Sequence, residues 1–140
     1  MIKVNELRIG NNILLLGEVC TIECISNLPK RKEMYWIKTK EFIDTKIIHF
    51  KPIPLTEEIL LKCGFELTDV KTHSDNRPLT KMFYKKTLLV QHHDNGLWSF
   101  IIMGYNIVRP EMSQFLHQLQ NIYFALTNEE LLFNNDNSSK

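Results

Sequence analysis

The segment from Ser113 to Leu132 constrains the fold most, because it carries sustained helical periodicity. Phe115, Leu116, Leu119, Ile122, Tyr123 and Leu126 recur at three- and four-residue spacings, which gathers them on one face of a helix. The opposite face holds Gln114, Gln118 and Asn121, uncharged amides where a solvated helix normally carries Lys and Glu. His117, Gln120 and Phe124 lie on the margin between the two faces. An apolar stripe of this kind must dock, so the remainder of the chain has to supply a surface for it. Thr127 with Glu130 three residues on reads as a capping box, and Leu126 with Leu131 as a hydrophobic staple. A second short helix is therefore expected to start at Thr127.

The same grammar occurs earlier, in Leu55-Thr56-Glu57-Glu58-Ile59-Leu60. Thr56 suits an N-cap, the two glutamates favour the positive end of a helix, and Leu55 can staple to Leu60. Gly64 supplies a left-handed stop, with Phe65 placed to pack back on Leu60. The spacing predicts a helix over Thr56–Cys63. In both places the paired carboxylates are accounted for by capping. Adjacent helical residues diverge by about 100°, so neither pair shares a face for acid–base work.

Around these helices the chain reads as short strands broken by turns. Arg8-Ile-Gly-Asn-Asn leads into Ile13–Leu16, Gly17 turns the chain, and Val19–Ser26 follows. Asn27-Leu-Pro-Lys-Arg-Lys is a connection, Glu33–Thr39 returns, and a further strand is expected near Lys46–Phe50, before Pro52 and Pro54. The polar stretch from Thr68 to Thr80 reads as an exposed loop. Strands follow over Lys81–Lys85, Thr87–His93 and Leu97–Met103, with Asp94-Asn95-Gly96 as a hairpin turn. The expected class is α+β with antiparallel pairing. Residues 1–54 form a small antiparallel sheet or SH3-like β-barrel lobe. An α+β lobe over 55–132 packs against it, and 133–140 is an Asn- and Ser-rich tail without structure.

Bulk properties exclude some functions. At 140 residues, 44% hydrophobic and 24% charged, the chain is ordinary for a globular protein. Its longest apolar run, Ile122–Leu126, is far short of a membrane span, and no signal-peptide core opens it, so a cytoplasmic setting is expected. The net charge of +1 leaves no global footprint for nucleic acid, yet the halves differ. Residues 1–55 carry nine Lys/Arg against six Asp/Glu, and the remainder eight against ten. Cys20, Ile22 and Cys24 alternate as on one core-facing strand. That spacing separates the outer two Cα atoms by about 13 Å, too far for a disulfide or a shared zinc.

Each candidate site meets a plainer reading. His92 and His93 are neighbours on a strand, so their side chains diverge and cannot chelate one ion. His117 could act as a base and Cys63 as its nucleophile, but no oxyanion-hole motif accompanies either. No glycine-rich phosphate loop occurs, and neither metal nor cofactor is expected. Lys30, Arg31 and Lys32, followed by the alternating Trp36, Lys38 and Lys40, combine an aromatic ring with cations. Small barrels that bind single strands use that combination, and lysine-protected edge strands also present it. The amides Gln114, Gln118 and Asn121, with His117, fit either bonds inside the fold or a partner surface.

Three blocks also occur together: Glu6-Leu-Arg-Ile-Gly-Asn11, Pro52 through Glu66, and His117-Gln-Leu-Gln-Asn-Ile-Tyr-Phe-Ala-Leu-Thr-Asn-Glu-Glu-Leu131. In this order they resemble a family of small bacterial and phage or prophage proteins whose pattern has Gly at position 128. The resemblance implies a phage or mobile-element setting and brings no activity, substrate or catalytic residue. The leading expectation is a non-catalytic interaction module that takes a protein partner or self-associates through the last helix or the hairpin. The alternative is a nucleic-acid-binding module on Lys30–Lys40. An enzyme would require His92 or His93, His117 and Cys63 to converge.

Overall fold

The computed structural model describes residues 2–27, 35–71, 80–93, 95–102, 105–106 and 113–133. Lys30, Arg31 and Lys32, Asp94 of the hairpin turn, most of the Thr68–Thr80 stretch and the tail beyond Phe133 lie outside them. The chain divides into two compact units, Met1–Pro54 and Leu55–Lys140. Each holds one antiparallel sheet of five strands, and the helices belong to the second, so the class is α+β.

The first sheet contains β1 (Asn12–Leu15), β2 (Glu18–Asn27), β3 (Tyr35–Thr39), β4 (Thr45–Lys46) and β5 (Phe50–Lys51), in the order β4-β3-β2-β1-β5. Leu16 and Gly17 join β1 to β2 with φ of 52° and 82°. Two successive left-handed residues make the turn whose twist matches that of the flanking strands. Ile13, Leu15, Cys20, Ile22 and Ile37 meet Ile2, Ile47 and Phe50 in one core. The Ile-Gly-Asn turn is tied to this sheet. Asn11 Oδ1 accepts from the Arg8 N–H at 2.7 Å, and Ile22 exchanges backbone bonds with Gly10 and Asn11.

Two expectations change here. Cys24 does not join Cys20 and Ile22 in the core, because the register shifts between Ile22 and Cys24. The irregularity resets the alternation, turning Ile25 towards the core and leaving Cys24 exposed. The strand expected near Lys46–Phe50 is two short strands separated by a 3-10 turn, Ile47–His49, which buries Ile47. The ladders leave β4 and β5 as edges, so the sheet does not close into a barrel.

The second unit contains α1 (Glu57–Lys62), β6 (Glu66–Lys71), β7 (Thr80–Lys85), β8 (Leu88–His92), β9 (Trp98–Ile102), β10 (Tyr105–Asn106) and α2 (Leu116–Thr127). Its strands form a meander in the order β10-β9-β8-β7-β6. The sequence reading missed β6. It is an edge strand with a register shift between Leu67 and Asp69, and its polar composition reads as a loop. Alternation buries Phe83, Leu88, Val90, Trp98, Phe100 and Ile102 on one face. Both helices contact that face. Glu57 of α1 pairs with Lys81 at 3.0 Å and lies 3.6 Å from His92 Nδ1. Tyr123 of α2 meets the edge of Phe65, and Lys85 Nζ sits 5.4 Å from its ring centroid.

α1 follows its sequence signals. Thr56 is extended and its hydroxyl accepts from the Ile59 N–H at 3.1 Å, while Phe65 N–H returns to Leu60 across the left-handed Gly64. The end of α2 does not. Thr127 is the last residue of α2, with its hydroxyl bonded back to the Tyr123 carbonyl, and Asn128 is left-handed at φ 58°. No helix starts there. Glu129 pairs instead with Lys86. Gly or Asn suits that left-handed stop, which rationalises either residue at 128.

α2 is anchored by side-chain amides. Gln114 Oε1 accepts from the Trp98 N–H at 3.1 Å, and its Nε2 donates to the Trp98 carbonyl at 2.9 Å. The side chain thus behaves as a strand residue on the edge of β9, beyond the two-residue pairing with β10. Gln118 Oε1 accepts from the N–H groups of Gln114 and Phe115, closing the start of the helix. Gln114→Leu should strand both Trp98 backbone groups and lower stability by about 1–3 kcal/mol in urea unfolding. Thr56→Ala should cost about 1 kcal/mol in the same measurement.

Candidate functional site

The sequence candidates Trp36 and Lys38 fall on the outer face of the first sheet. In β3 the side chains alternate: Ile37 and Thr39 are buried, whereas Trp36 is half-buried and Lys38 exposed. Register sets their neighbours. Trp36 stands between Ser26 of β2 and Lys46 of β4, and Lys38 stands opposite Cys24. Lys46 Nζ lies 5.7 Å from the Trp36 ring centroid, within cation–π range. Lys40 is exposed just past the strand, where its N–H donates to the Thr21 carbonyl at 3.1 Å. Nearby Glu41 is engaged by the Thr21 N–H.

Sequence reasoning placed Trp36, Lys38 and Lys40 together by alternation. It missed Lys46, which lies ten residues from Trp36 and reaches it only through the β3–β4 ladder. The Trp36 Nε1–H is shielded from solvent and has no hydrogen-bond partner among the described residues.

The helix candidates are placed differently. Gln114 and Gln118 make the anchoring bonds described above, and His117 is only 1% exposed, stacked on Phe115 at 6.0 Å between ring centroids. Asn121 is half-buried on α2. Gln120, expected on the margin, is buried and donates to the Leu131 carbonyl at 3.2 Å. The uncharged composition of this helix therefore accompanies polar bonds inside the fold, since an amide can be buried once paired whereas a lysine resists burial.

The histidines near the hairpin diverge as strand geometry requires. His92 stacks on Trp98 at 4.0 Å beside Glu57, and His93 Nε2 lies 2.6 Å from Ser99 Oγ. Cys63 is buried, and desolvation pushes its thiol up to about 12 although Lys85 opposes the shift. It is thus a thiol, not a thiolate, at neutral pH and lacks the activation that nucleophilic cysteines need. Burial, reinforced by Glu41 and Glu18, also raises Cys20. Among the described residues no three His, Cys, Asp or Glu side chains gather as metal ligands. No described helix is long and apolar enough to cross a membrane.

Comparison with known protein families, curated proteins and solved structures found no match. The assignment of function therefore rests on the geometry.

Two predictions follow from the thiols. With a thiol reagent at pH 8, native protein should react rapidly at Cys24 alone, and Cys24→Ser should abolish the rapid phase. In the unfolded chain Cys63 ionises near its ordinary value of 9.0, while the folded chain holds its proton to about 12. Its contribution to stability is thus complete below pH 9 and is lost as pH rises towards 12. Over that window wild type should lose about 1.4 kcal/mol per pH unit more than Cys63→Ala, read from urea midpoints.

Proposed function

We propose that this chain is a non-catalytic binding module that takes nucleic acid on the outer face of its N-terminal sheet. The observation that carries the reading is the grouping of Trp36, Lys38 and Lys46 on one open sheet face, with Lys40 beside it. Cations attract phosphates and an exposed ring offers a surface to a base. Lys30, Arg31 and Lys32 precede β3 in the sequence and belong to the chain's basic half. The strand order β4-β3-β2-β1-β5, with a 3-10 turn leading into a last strand that pairs with the first, supports an SH3-like reading of this sheet. A cytoplasmic, phage- or prophage-derived setting would supply such a ligand.

The test is fluorescence anisotropy with labelled oligonucleotides at about 50 and 200 mM salt. Affinity should fall steeply between the two. The Lys38→Ala, Lys46→Ala double variant should flatten the slope of log affinity against log salt by about 1.4–1.8. Affinity that ignores salt, or a double variant with the wild-type slope, would sink the assignment.

A second reading, a protein partner or another copy of the chain, is favoured by a different surface. The outer face of the second sheet presents Met82, Leu89 and Ile101, half-buried, and Tyr84, 47% exposed. Apolar side chains on an open sheet face mark interaction surfaces. Size exclusion with light scattering distinguishes the two: a dimer that Tyr84→Lys dissociates supports this reading, and a monomer at every concentration opposes self-association.

A further inference from the structure

We infer that the ligand is a single strand, and that one of its bases takes the place of the Lys46 ammonium on the Trp36 ring. This rests on the nucleic-acid reading above and specifies its substrate class. Three observations carry it.

The first is the kind of residue at position 36. A duplex keeps its bases stacked inside and offers a flat protein face only phosphates and groove edges. Lysines alone would serve that ligand. A half-buried indole gains less from a duplex, whose bases are already stacked, than from an unpaired base.

The second is the cost of Trp36 to the fold. Its N–H is withdrawn from solvent without a hydrogen-bond partner among the described residues. A shielded indole N–H ordinarily finds an acceptor, so packing alone would favour Phe at this half-buried site. The presence of an indole here points to its larger ring surface as the useful property.

The third is the position of Lys46. Directly opposite Trp36 in the ladder, it holds its Nζ 5.7 Å from the ring centroid. A solvent-exposed cation–π contact is weaker than stacking of a base on an indole, so the exchange is favourable. The displaced ammonium stays within reach of the phosphate of the stacked nucleotide. Lys38, two residues along the strand on the same side, lies about 7 Å further on, where it can meet the next phosphate. Lys46 is thus both a cover for the ring in the free protein and a phosphate contact in the complex.

The experiment titrates the full-length chain with an oligothymidylate of about twelve nucleotides, a duplex of equal length and inorganic polyphosphate. Tryptophan fluorescence and anisotropy are read together. The single strand should quench fluorescence and bind about tenfold tighter than either other probe. Trp36→Ala should weaken single-strand binding by about fivefold to a hundredfold and leave the weak polyphosphate binding unchanged. Trp36→Phe, which removes the N–H and keeps a ring, should raise the urea midpoint and bind with intermediate affinity. Lys46→Gln should lower the salt slope by about 0.7 and make the free protein more sensitive to acrylamide quenching.

Equal affinity for duplex and single strand overturns the inference. So does an unchanged single-strand affinity in Trp36→Ala or, should the alanine variant fail to fold, in Trp36→Phe. Either result leaves a charge-only surface and the broader nucleic-acid reading intact. Wild-type protein that binds none of the three probes in a salt-dependent way overturns both.

Discussion

The C-terminal unit depends on Trp98. Its backbone N–H and C=O lie outside the described two-residue pairing of β9 with β10, and the Gln114 side-chain amide satisfies both. The Ser113 hydroxyl also donates to the same carbonyl at 2.8 Å. An unpaired backbone pair at this depth would cost as much as several favourable contacts return, so the start of α2 is bound to this edge. The indole does the complementary work on the buried face. It stacks on His92, which lies beside the Glu57–Lys81 ion pair of α1, and leans on Phe83. One residue thereby joins the sheet to both helices.

That arrangement explains how the helix carries an uncharged polar face: its amides are paired inside the fold. Three glutamines along one stretch look available when drawn on a helical wheel. Gln114 and Gln118 are spent on backbone groups at the helix start, and Gln120 on the Leu131 carbonyl. On the outer face of the first sheet, Lys38 is exposed, and the Trp36 N–H has no hydrogen-bond partner among the described residues.

Much of the local structure was legible in the chain. Thr56, the following glutamates and Gly64 defined α1 at both ends, because each acts within a few residues and meets no competing interaction. The same pattern at Thr127 misled. There a helix already runs into the threonine, so its hydroxyl bonds back to Tyr123 and the left-handed Asn128 ends the run. A capping threonine specifies a start only where it is itself extended, as Thr56 is and Thr127 is not. Cys24 was misplaced for a related reason. Strict alternation fails at an irregularity, and its location is set by pairing with a partner strand. Edge strand β6 escaped notice because an edge has no need of an apolar composition.

By itself the sequence determined the α+β class, the turns, the capped start of α1 and the pairing of Trp36 with Lys38 on one side of a strand. All of these depend on spacings of two to four residues, which backbone geometry converts directly into direction. The tertiary structure alone decided that Lys46 covers Trp36, that Gln114 completes the edge of β9, and that His117 is buried. Each is a relation between residues brought together by strand register or helix docking. Register follows from the burial of a whole face, so no short stretch of sequence contains it.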